Sequence, residues 1–484
     1  MDGLNVKSDL PLAVDLDRTL IRTDLGVESL VACLVARPWV VFLIPFWLLC
    51  GLAHTKRRLL DGAVLDLSAV PAMHLMEQYV RDAHNAGRKT LLVTASDQSI
   101  ADAAAARFPW FSEAIGSNGV INLKGPNKAK LLRERFGERG FVYAGDSRAD
   151  LEIWKVAAAA VVVDSTGGVR TKQAANLCAI EQSFDVTERA RLKVWISQLR
   201  VRQWAKNLLL FLPLFLAHEV GNSEKWISTI WAAISFSLVA SAVYIFNDAS
   251  DLAADRTHAS KRHRPLASGE IKLETALLAA VALLVCAVVM AILLVPQVFP
   301  ILAGYFLLTT LYTWWAKEQL GLDVIMLAGL YCIRIFAGGS AADVELSRWL
   351  ICFTGFLFVS LACVKRVSEL AQLAMLEGKT VKLRRRAYSV ADLPVLTAVG
   401  VGAGLVGVLV AALYFSGAEV TALYSHPTVL FAGVLPALTA WFIRVWLLAG
   451  RGAEALEDPV VFAITDRFSL LCGALVTALV IFAV

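Results

Sequence analysis

The sequence predicts two folds in one chain: an N-terminal α/β domain with a parallel sheet, and a C-terminal all-α polytopic membrane bundle of about nine transmembrane helices. Apolar residues make up 57% of the 484 residues, and the mean hydropathy is +0.62, as is typical of a membrane protein. Long apolar runs are concentrated after residue 190. Before it, short apolar strands alternate with helical patterns, which indicates a parallel sheet.

Polar side chains follow the predicted strands of the N-terminal domain, at the points where the strands end. They are Asp15 and Asp17 after the first strand, Thr94 and Ser96 after the second, and Asp146 and Asp150 after the third. Lys128 stands at the start of a helical pattern that runs to Phe136. Because parallel sheets bind ligands at the carboxyl ends of their strands, we expect these side chains to share one site.

This order of motifs resembles the haloacid dehalogenase superfamily of phosphotransferases over about residues 8–175. The matching elements are Asp-x-Asp-x-Thr from Asp15, a hydroxyl-bearing strand end, Lys128, and Gly-Asp-x-x-x-Asp from Gly145. The resemblance implies a phosphatase domain over residues 1–190. The alternative is a domain kept only for folding or docking, but none of the family's catalytic positions is substituted here.

The resemblance also implies a role for each residue. Asp15 would be the nucleophile, and Asp17 the general acid and then the general base. Thr94 and Lys128 would bind the phosphoryl oxygens, with Ser96 as an alternative to Thr94. The implied ligands of Mg²⁺ are Asp15, Asp146 and the backbone carbonyl of Asp17, while Asp150 would orient Lys128 or the metal shell.

An apolar segment at residues 38–53 interrupts the N-terminal domain. It is too short and too rich in proline for a membrane span. In this position the family carries a cap over the active site. We expect a cap helix that lies in the membrane interface, with Lys56, Arg57 and Arg58 at headgroup level. The alternative is a helix packed against the transmembrane domain.

Residues 191–206 read as an amphipathic linker, and residues 207–484 as the transmembrane domain. The predicted spans are 207–221, 226–246, 273–295, 298–316, 320–339, 349–364, 393–415, 428–449 and 467–484. Lysine and arginine cluster in alternate connections, so the positive-inside rule predicts a multi-pass inner-membrane protein whose N-terminal domain and active sites are cytoplasmic. The net charge of +5 needs no nucleic-acid partner, because the basic residues flank membrane ends and acidic motifs.

A dense polar run follows the second predicted span. It contains Asn247, Asp248, Asp251 and Asp255, whose three carboxylates at i, i+3 and i+7 fall on one helix face. A basic tail with Lys261 and Arg264 comes next. Such a face at a membrane helix end suggests a divalent cation, and oxygen-only ligands favour Mg²⁺ together with a substrate phosphate.

The run Asn-Asp-x-x-Asp-x-x-x-Asp, with the tail Arg-Pro-Leu-Ala-x-Gly, resembles the first aspartate motif of the UbiA superfamily of intramembrane prenyltransferases. The resemblance covers roughly residues 195–484 and implies that Asn247, Asp248, Asp251 and Asp255 hold Mg²⁺, with Asp248 and Asp251 essential to transfer. The family's second motif, Asp-x-x-x-Asp, is incomplete, because Asp323 is followed by Leu327. We expect nearby cations to replace the second metal clamp.

Further stretches, at residues 202–207, 333–339, 365–370, 386–389, 457–459 and 466–467, resemble the branch typified by decaprenyl-phosphate phosphoribosyltransferase, whose Tyr/Lys element would lie at residues 312–317. That resemblance implies 5-phosphoribosyl diphosphate as donor and a polyprenyl phosphate lipid as acceptor. The residues expected to bind phosphate or substrate are Lys206, Lys261, Arg264, Lys317, Arg334, Lys365, Arg366, Glu369 and Tyr388. For any one cation, the alternative is a side chain that snorkels at a membrane end.

We therefore predict a bifunctional membrane enzyme for cell-envelope polysaccharide precursors. It would transfer phosphoribose to a polyprenyl phosphate, and its N-terminal domain would remove the 5-phosphate. One alternative is prenyl transfer to an aromatic quinone or haem precursor, and another is a membrane scaffold with a non-catalytic soluble domain. The prenyl chain length stays open, and so does the oligomeric state, including a homo-oligomer.

Overall fold

The computed structural model describes residues 9–61, 65–186, 192–377, 386–417, 420 and 424–483. The chain divides into two compact units. The N-terminal unit comprises Met1–Leu199 together with Tyr244–Ala279, and the membrane unit comprises Arg200–Val243 together with Ala280–Val484. The segment that carries the first aspartate motif therefore belongs to the N-terminal unit.

The N-terminal unit contains one six-stranded sheet in which every neighbouring pair of strands is parallel. The strands are β1 (Leu12–Val14), β2 (Thr90–Asp97), β3 (Glu113–Ser117), β4 (Val142–Gly145), β5 (Ala159–Asp164) and β6 (Ala179–Asp185). Their order is β3-β2-β1-β4-β5-β6. The chain reverses its direction of winding between β1 and β4, and the ends of two such strands form a crevice that binds ligands.

Helices accompany the strands of this sheet. They are α1 (Leu25–Ala36), α2 (Ile44–Leu49), α3 (Leu52–Leu60), α4 (His74–Asn85), α5 (Gln98–Arg107), α6 (Pro126–Phe136), α7 (Leu151–Trp154), α8 (Val169–Ala175) and α9 (Leu192–Gln198). Strands β1, β4 and β5 are wholly buried. Their side chains alternate between two apolar clusters, which explains why these strands read as continuous apolar runs rather than alternating ones.

The apolar segment at 38–53 forms a 3₁₀ turn, Pro38–Phe42, followed by α2 and the start of α3. Large apolar side chains of this segment are exposed, among them Phe42 (74%), Phe46 (65%) and Leu49 (86%). The small cluster of Cys33, Val40 and Leu59, against which Trp47 packs, holds the segment on the N-terminal unit.

The first aspartate motif spans the end of one helix and the start of the next. Helix α11 (Ser223–Ser250) ends directly before Asp251, and α12 (Leu252–Thr257) begins directly after it. The three carboxylates expected on one helix face are therefore divided between two helices by a break at Asp251. Helical hydrogen bonds nevertheless continue on both sides of the break, from Asp251 N–H to Asn247 and from Asp255 N–H to Asp251.

The membrane unit is helical. Its remaining helices are α10 (Leu212–Leu216), α13 (Leu273–Leu294), α14 (Phe299–Trp314), α15 (Leu322–Ala342), α16 (Arg348–Glu377), α17 (Leu393–Phe415), α18 (Pro427–Gly450, with a π-helical stretch), α19 (Pro459–Thr465) and α20 (Arg467–Ala483). The parallel sheet and these apolar helices confirm the predicted fold class.

Among the described residues, six helices are long and apolar enough to cross a membrane. The number rises to seven if α19 and α20, which bend by 76°, form one span. Helix α14 is apolar but has 16 residues, and the predicted first span is a 3₁₀ segment, Val201–Phe211, followed by the short α10. Nine spans therefore stay a prediction.

Small residues allow the long helices to approach closely. A side chain at Gly400 would overlap Trp446, and one at Gly404 would overlap Phe442. Ser360 of α16 also donates a hydrogen bond to the carbonyl of Gly400 on α17 (2.7 Å). Contacts of this kind are typical of membrane helix packing, where dispersion forces and polar contacts replace the hydrophobic effect.

Candidate active sites

The residues singled out at the strand ends of the N-terminal unit come together as predicted by the parallel sheet. One carboxylate oxygen of each of Asp15, Asp146 and Asp150 lies within 4.8 Å of the others. The Lys128 ammonium, at the first turn of α6, donates to Asp15 (2.9 Å) and to the phenol of Tyr143 (2.9 Å). Lys128 is almost fully buried, so its charge is compensated mainly by Asp15.

Asp150 holds this arrangement in place. Its Oδ1 accepts a hydrogen bond from Tyr143 (3.1 Å), and its Oδ2 accepts from the hydroxyl and backbone of Ser147 and the backbone of Asp146. Lys128, Tyr143 and Asp150 thus form a chain, which fits the predicted orienting role of Asp150. A Cβ at Gly145 would lie 2.7 Å from Asp150 Oδ2, so this strand end requires glycine.

The second aspartate of the Asp-x-Asp pair has its own partners. Asp17 accepts from the Leu25 backbone (2.9 Å) and from the Ser96 hydroxyl (2.9 Å). Thr94 is fully buried, and its hydroxyl oxygen accepts from the backbone N–H of Ser96 (3.0 Å). Ser96 thus contacts a predicted catalytic group, whereas Thr94 contacts backbone; which of the two binds a phosphoryl oxygen stays a prediction.

Burial and mutual repulsion shift the acidity of these carboxyls. Burial, with a smaller contribution from Asp150, raises the pKa of Asp146 to about 8. Burial and the neighbouring Asp24 raise the pKa of Asp17 to about 7. Burial also raises the pKa of Asp15, although Lys128 opposes the shift. Buried carboxylates that crowd together in this way are stabilised by a cation.

The donor set fits Mg²⁺, which prefers carboxylate and carbonyl oxygens. Asp15 and Asp146 are the carboxylates able to bind it, since the oxygens of Asp150 already accept hydrogen bonds from the protein. Thr19, the last residue of Asp-x-Asp-x-Thr, donates weakly to Asp146 at 3.4 Å. The contribution of the Asp17 carbonyl stays a prediction.

Lys56 was expected at headgroup level, and that expectation is wrong. Its ammonium donates to the carbonyl of Ala95 (2.7 Å) and to the side chain of Asn122 (3.3 Å), beside the end of β2. Burial lowers the pKa of Lys56, while Asp17 and Asp24 oppose that shift. Lys56 follows the buried Ala53 by three residues on α3, so both point inwards, whereas Arg57 and Arg58 are exposed.

Two of the three aspartates of the first aspartate motif contact an arginine of the tail. Arg264 contacts Asp248 (3.1 Å) and Asp255 (2.6 Å), and both carboxylates are nearly fully buried. Gln198 donates to the other oxygen of Asp248 (3.1 Å). Asp248 and Asp255 thus share one side of the helix pair, as the spacing predicts. Lys261 lies in an exposed turn, Lys261–His263.

The region of the incomplete second motif, in the membrane unit, is occupied by cations. Arg366 contacts both oxygens of Asp323, at 2.5 and 3.0 Å, and both side chains are completely buried. Tyr312 donates to Asp323 (2.9 Å), and Arg386 lies 3.4 Å from it. Arg366 also pairs with Glu369 (2.5 Å). Asp323 therefore serves as an anchor for arginine.

The other predicted residues of the membrane unit have diverse contacts. Lys206 pairs with Asp458 (2.7 Å), Lys365 lies 4.0 Å from Glu369, and the hydroxyl of Tyr388 accepts from the Gly321 backbone (2.9 Å). Lys317 is half-buried in a 3₁₀ turn, Ala316–Glu318. Their roles in substrate binding stay predictions.

Arg334 is directed at protein groups. Its guanidinium donates to Asn207 (2.9 Å), to Tyr305 (3.0 Å) and to the carbonyl of Leu330. Asn207 in turn donates to Ser237 (2.8 Å). These contacts tie α15 to α11, α14 and the 3₁₀ segment, which is a structural role that the sequence did not indicate.

Sequence reasoning missed several residues of these sites. Tyr143 belongs to β4, where its phenol reads as one more strand residue. Tyr312 and Arg386 lie in stretches that carry the resemblance, but their contacts with Asp323 were not predicted. A position directly next to a recognised motif is the one sequence feature that could have pointed to such residues. Arg256 directly follows Asp255, and its buried ion pair with Glu28 joins the aspartate segment to α1.

Residues 208–464, more than half of the chain, match the UbiA prenyltransferase family. The chain is 36% identical over 472 residues to uncharacterized protein y4nM of Sinorhizobium fredii, an alignment that covers 97% of this chain and 90% of that protein. It is 35% identical over 199 residues to decaprenyl-phosphate phosphoribosyltransferase of Mycolicibacterium smegmatis, covering 40% of this chain and 62% of that enzyme. A UbiA homolog from Archaeoglobus fulgidus bound to DMAPP and Mg²⁺ aligns with a TM-score of 0.45 and 17% identity, over 59% of this chain and 98% of that one.

Proposed function

The chain belongs to the UbiA prenyltransferase family, and we propose that it transfers 5-phosphoribose from phosphoribosyl diphosphate to a polyprenyl phosphate and then removes the 5-phosphate. The family match and the apolar helices make it a multi-pass membrane transferase. The choice of donor and acceptor is supported by the partial similarity to decaprenyl-phosphate phosphoribosyltransferase. The alternation of basic connections supports an inner-membrane location with cytoplasmic active sites.

The observation that carries the choice of reaction is the buried pair of Arg366 and Asp323. A second metal clamp needs free carboxylates, but Asp323 is occupied by Arg366 and Tyr312, and the next position of the motif is Leu327. Because Arg366 is completely buried and already pairs with Asp323 and Glu369, the cation left here for a phosphate oxygen, among the described residues, is the partly exposed Arg386, 3.4 Å from Asp323. The arrangement favours substrates with separate phosphate groups over a prenyl diphosphate held between two metals, which argues against the quinone or haem precursor alternative.

The first aspartate motif fits a metal site in its donor set. Asp248, Asp251 and Asp255 provide oxygen ligands, and Asn247 provides an amide oxygen, as Mg²⁺ prefers. Bound there, Mg²⁺ would stabilise the diphosphate as a leaving group. Arg264, which contacts Asp248 and Asp255, is placed to bind a phosphate oxygen once the carboxylates have another cation. An oxygen of the lipid phosphate then attacks the anomeric carbon, and diphosphate leaves.

In the N-terminal unit, Asp15 attacks the phosphorus of the 5-phosphate, and the bond between phosphorus and the sugar oxygen breaks. Asp17 donates a proton to the departing sugar oxygen, for which a pKa of about 7 is suitable. Asp17 then removes a proton from water, which hydrolyses the aspartyl phosphate. Lys128, held by Tyr143, neutralises the phosphoryl oxygens. A non-catalytic scaffold would not need this buried, mutually repelling set of carboxyls.

The two activities are consecutive, since the product of transfer carries the phosphomonoester that the N-terminal unit would hydrolyse. The resulting polyprenyl-phosphoryl pentose would be a precursor for cell-envelope polysaccharide. The test is to incubate purified chain with polyprenyl phosphate, labelled phosphoribosyl diphosphate and Mg²⁺, and to identify the lipid product by mass spectrometry.

Three variants separate the activities. Asp248→Ala is expected to abolish lipid labelling while leaving hydrolysis of a soluble phosphate ester. Asp15→Asn is expected to retain transfer and to accumulate the 5-phosphorylated lipid, and Asp102→Asn, on the exposed face of α5, serves as the matched control. Labelling at the wild-type rate in Asp248→Ala would refute the transfer site, and complete dephosphorylation by Asp15→Asn would refute the nucleophile.

A further inference from the structure

A cavity of about 210 Å³ adjoins the carboxylate centre within the N-terminal unit. One wall comes from the phosphatase-like fold and includes Arg18, Arg22 and Asp146. Another part of the lining is residues 269–272, which follow the first aspartate motif and precede α13. The segment therefore lies beside the carboxylate centre of Asp15, Asp146 and Asp150, whose residues all come from the first 190 positions of the chain.

Several contacts fix this segment against the phosphatase-like fold. Arg18 forms an ion pair with Glu274. Gly269 has a φ of +76°, and a Cβ at that position would lie 2.8 Å from the Cβ of Arg22. Lys272 donates a long hydrogen bond to Ser165 (3.4 Å) at the end of β5. These contacts hold residues 269–272 in place as part of the lining of the cavity.

The lining of the cavity carries three cations, Arg18, Arg22 and Lys272, and two acids, Asp146 and Glu270. Arg18 already pairs with Glu274, whereas Lys272 donates the long hydrogen bond to Ser165, so Lys272 is the lining cation best placed to contact an anion. Arg170 donates to the carbonyl of Asp146 (3.2 Å) from outside this lining. Asp15 and Asp146, with Lys128, account for the phosphoryl group that is hydrolysed, so Lys272 can contact a different part of the substrate.

We propose that this cavity binds a second phosphate group of the phosphatase substrate, one that is not hydrolysed, and that Lys272 is a specificity-determining residue. The substrate class is then a sugar phosphomonoester that also carries a phosphodiester. The inference rests on the proposed phosphatase function and deepens it. Part of the selectivity of the N-terminal site comes from residue 272, which lies within the stretch that matches the transferase family.

The experiment compares two soluble substrates with the purified full chain and Mg²⁺. One is methyl ribofuranoside 5-phosphate, and the other is ribose 5-phosphate with a methyl phosphodiester at C1. For the wild type we expect kcat/KM to be higher for the diester-bearing substrate. In Lys272→Met the ratio of the two kcat/KM values should fall about tenfold, because a charge-assisted contact is lost. Lys130→Met removes an exposed lysine of α6 outside the cavity and should leave the ratio unchanged.

The outcomes separate this inference from the function on which it rests. Hydrolysis of both esters with a ratio that Lys272→Met does not change would overturn the second phosphate site and leave the phosphatase standing. If neither ester is hydrolysed, the phosphatase proposal fails. Calorimetric titration with the diester-bearing compound then tests separately whether the cavity binds its phosphodiester. Weaker binding to Lys272→Met than to the wild type would support the anion site, and equal or absent binding would overturn it.

Discussion

Arg256 and Glu28 form a bidentate ion pair, at 2.6 and 2.9 Å, whose side chains are only 5% and 6% exposed. Glu28 lies on α1, close after the Asp-x-Asp pair, and Arg256 directly follows the last aspartate of the first aspartate motif. The same carboxylate accepts a hydrogen bond from Thr23, in the loop that carries Arg18. One buried pair therefore connects the loop that carries Arg18 with the aspartate segment.

We expect loss of one partner to be costly. Arg256→Met leaves a buried carboxylate without its cation, and breaking such a pair typically costs about 3–5 kcal/mol. Glu28→Met should have a similar effect, and both should lower the melting temperature of the purified chain. The double variant Glu28→Met with Arg256→Met should recover much of the loss, since an apolar pair removes both desolvation penalties. A double variant as unstable as the sum of the single ones would show that the two residues act independently.

This pair also shows where prediction from the sequence ends. The carboxylates at the strand ends were predictable, because a parallel sheet places all such ends at one edge. Glu28 and Arg256 are 228 positions apart, and no helical or strand periodicity relates charges at that separation. Tyr312 and Arg386 lie 74 positions apart, and their meeting at Asp323 was not predicted for the same reason.

Lys56 illustrates a different limit. We expected it at headgroup level because it stands next to Arg57 and Arg58 in the sequence. Successive residues on a helix point about 100° apart, so one of three neighbours can face the protein. The break of the helix at Asp251 was also not predictable from the spacing of the aspartates. Either one helix or two helices with continuous hydrogen bonds across the break would give that spacing.

Arg366→Lys is the sharpest test of the second motif. Lysine keeps the charge but loses the planar, bidentate contact with Asp323 and the hydrogen bond to Tyr312. Asp323, which Arg386 also contacts, is then no longer held in place. We expect lipid labelling to fall at least tenfold, or about 1.4 kcal/mol, with the phosphatase activity on a soluble ester retained. Arg444→Lys, whose pair with Asp466 is partly exposed, is the matched control. A variant that labels lipid as fast as the control would exclude Arg366 from the transfer site.

The raised pKa of Asp146 predicts a pH dependence of stability in the absence of metal. The pKa is about 8 in the folded chain against an ordinary value of 3.8, so the folded chain retains a proton that the unfolded chain has lost. The stability linked to this proton is present at low pH and is lost as the pH rises towards about 8. In EDTA, the melting temperature should therefore fall as the pH rises from about 4 to about 8, and this contribution should level off above that.

Asp146→Asn removes this titration and should reduce that fall. Saturating Mg²⁺ should also reduce it in the wild type, because a bound cation stabilises the ionised carboxylates. Differential scanning fluorimetry at a series of pH values measures both effects. A pH profile in EDTA that is the same for the wild type and the variant would mean that Asp146 is ionised in the folded chain at neutral pH.

The last prediction concerns the exposed apolar segment at 38–53. Phe42, Phe46 and Leu49 are largely exposed, and Arg57 and Arg58 follow on α3. Burying each large side chain in a membrane interface would contribute about 1.5–3 kcal/mol, and each arginine near anionic lipid about 1 kcal/mol. The full chain with Phe42, Phe46 and Leu49 all changed to serine should hydrolyse a lipid-linked phosphomonoester in liposomes about tenfold more slowly. Hydrolysis of a soluble ester should change less. Trp47 is left intact because it packs on the cluster of Cys33, Val40 and Leu59. Equal losses on both substrates would indicate a damaged fold, and no loss on the lipid would show that the segment does not dock on the membrane.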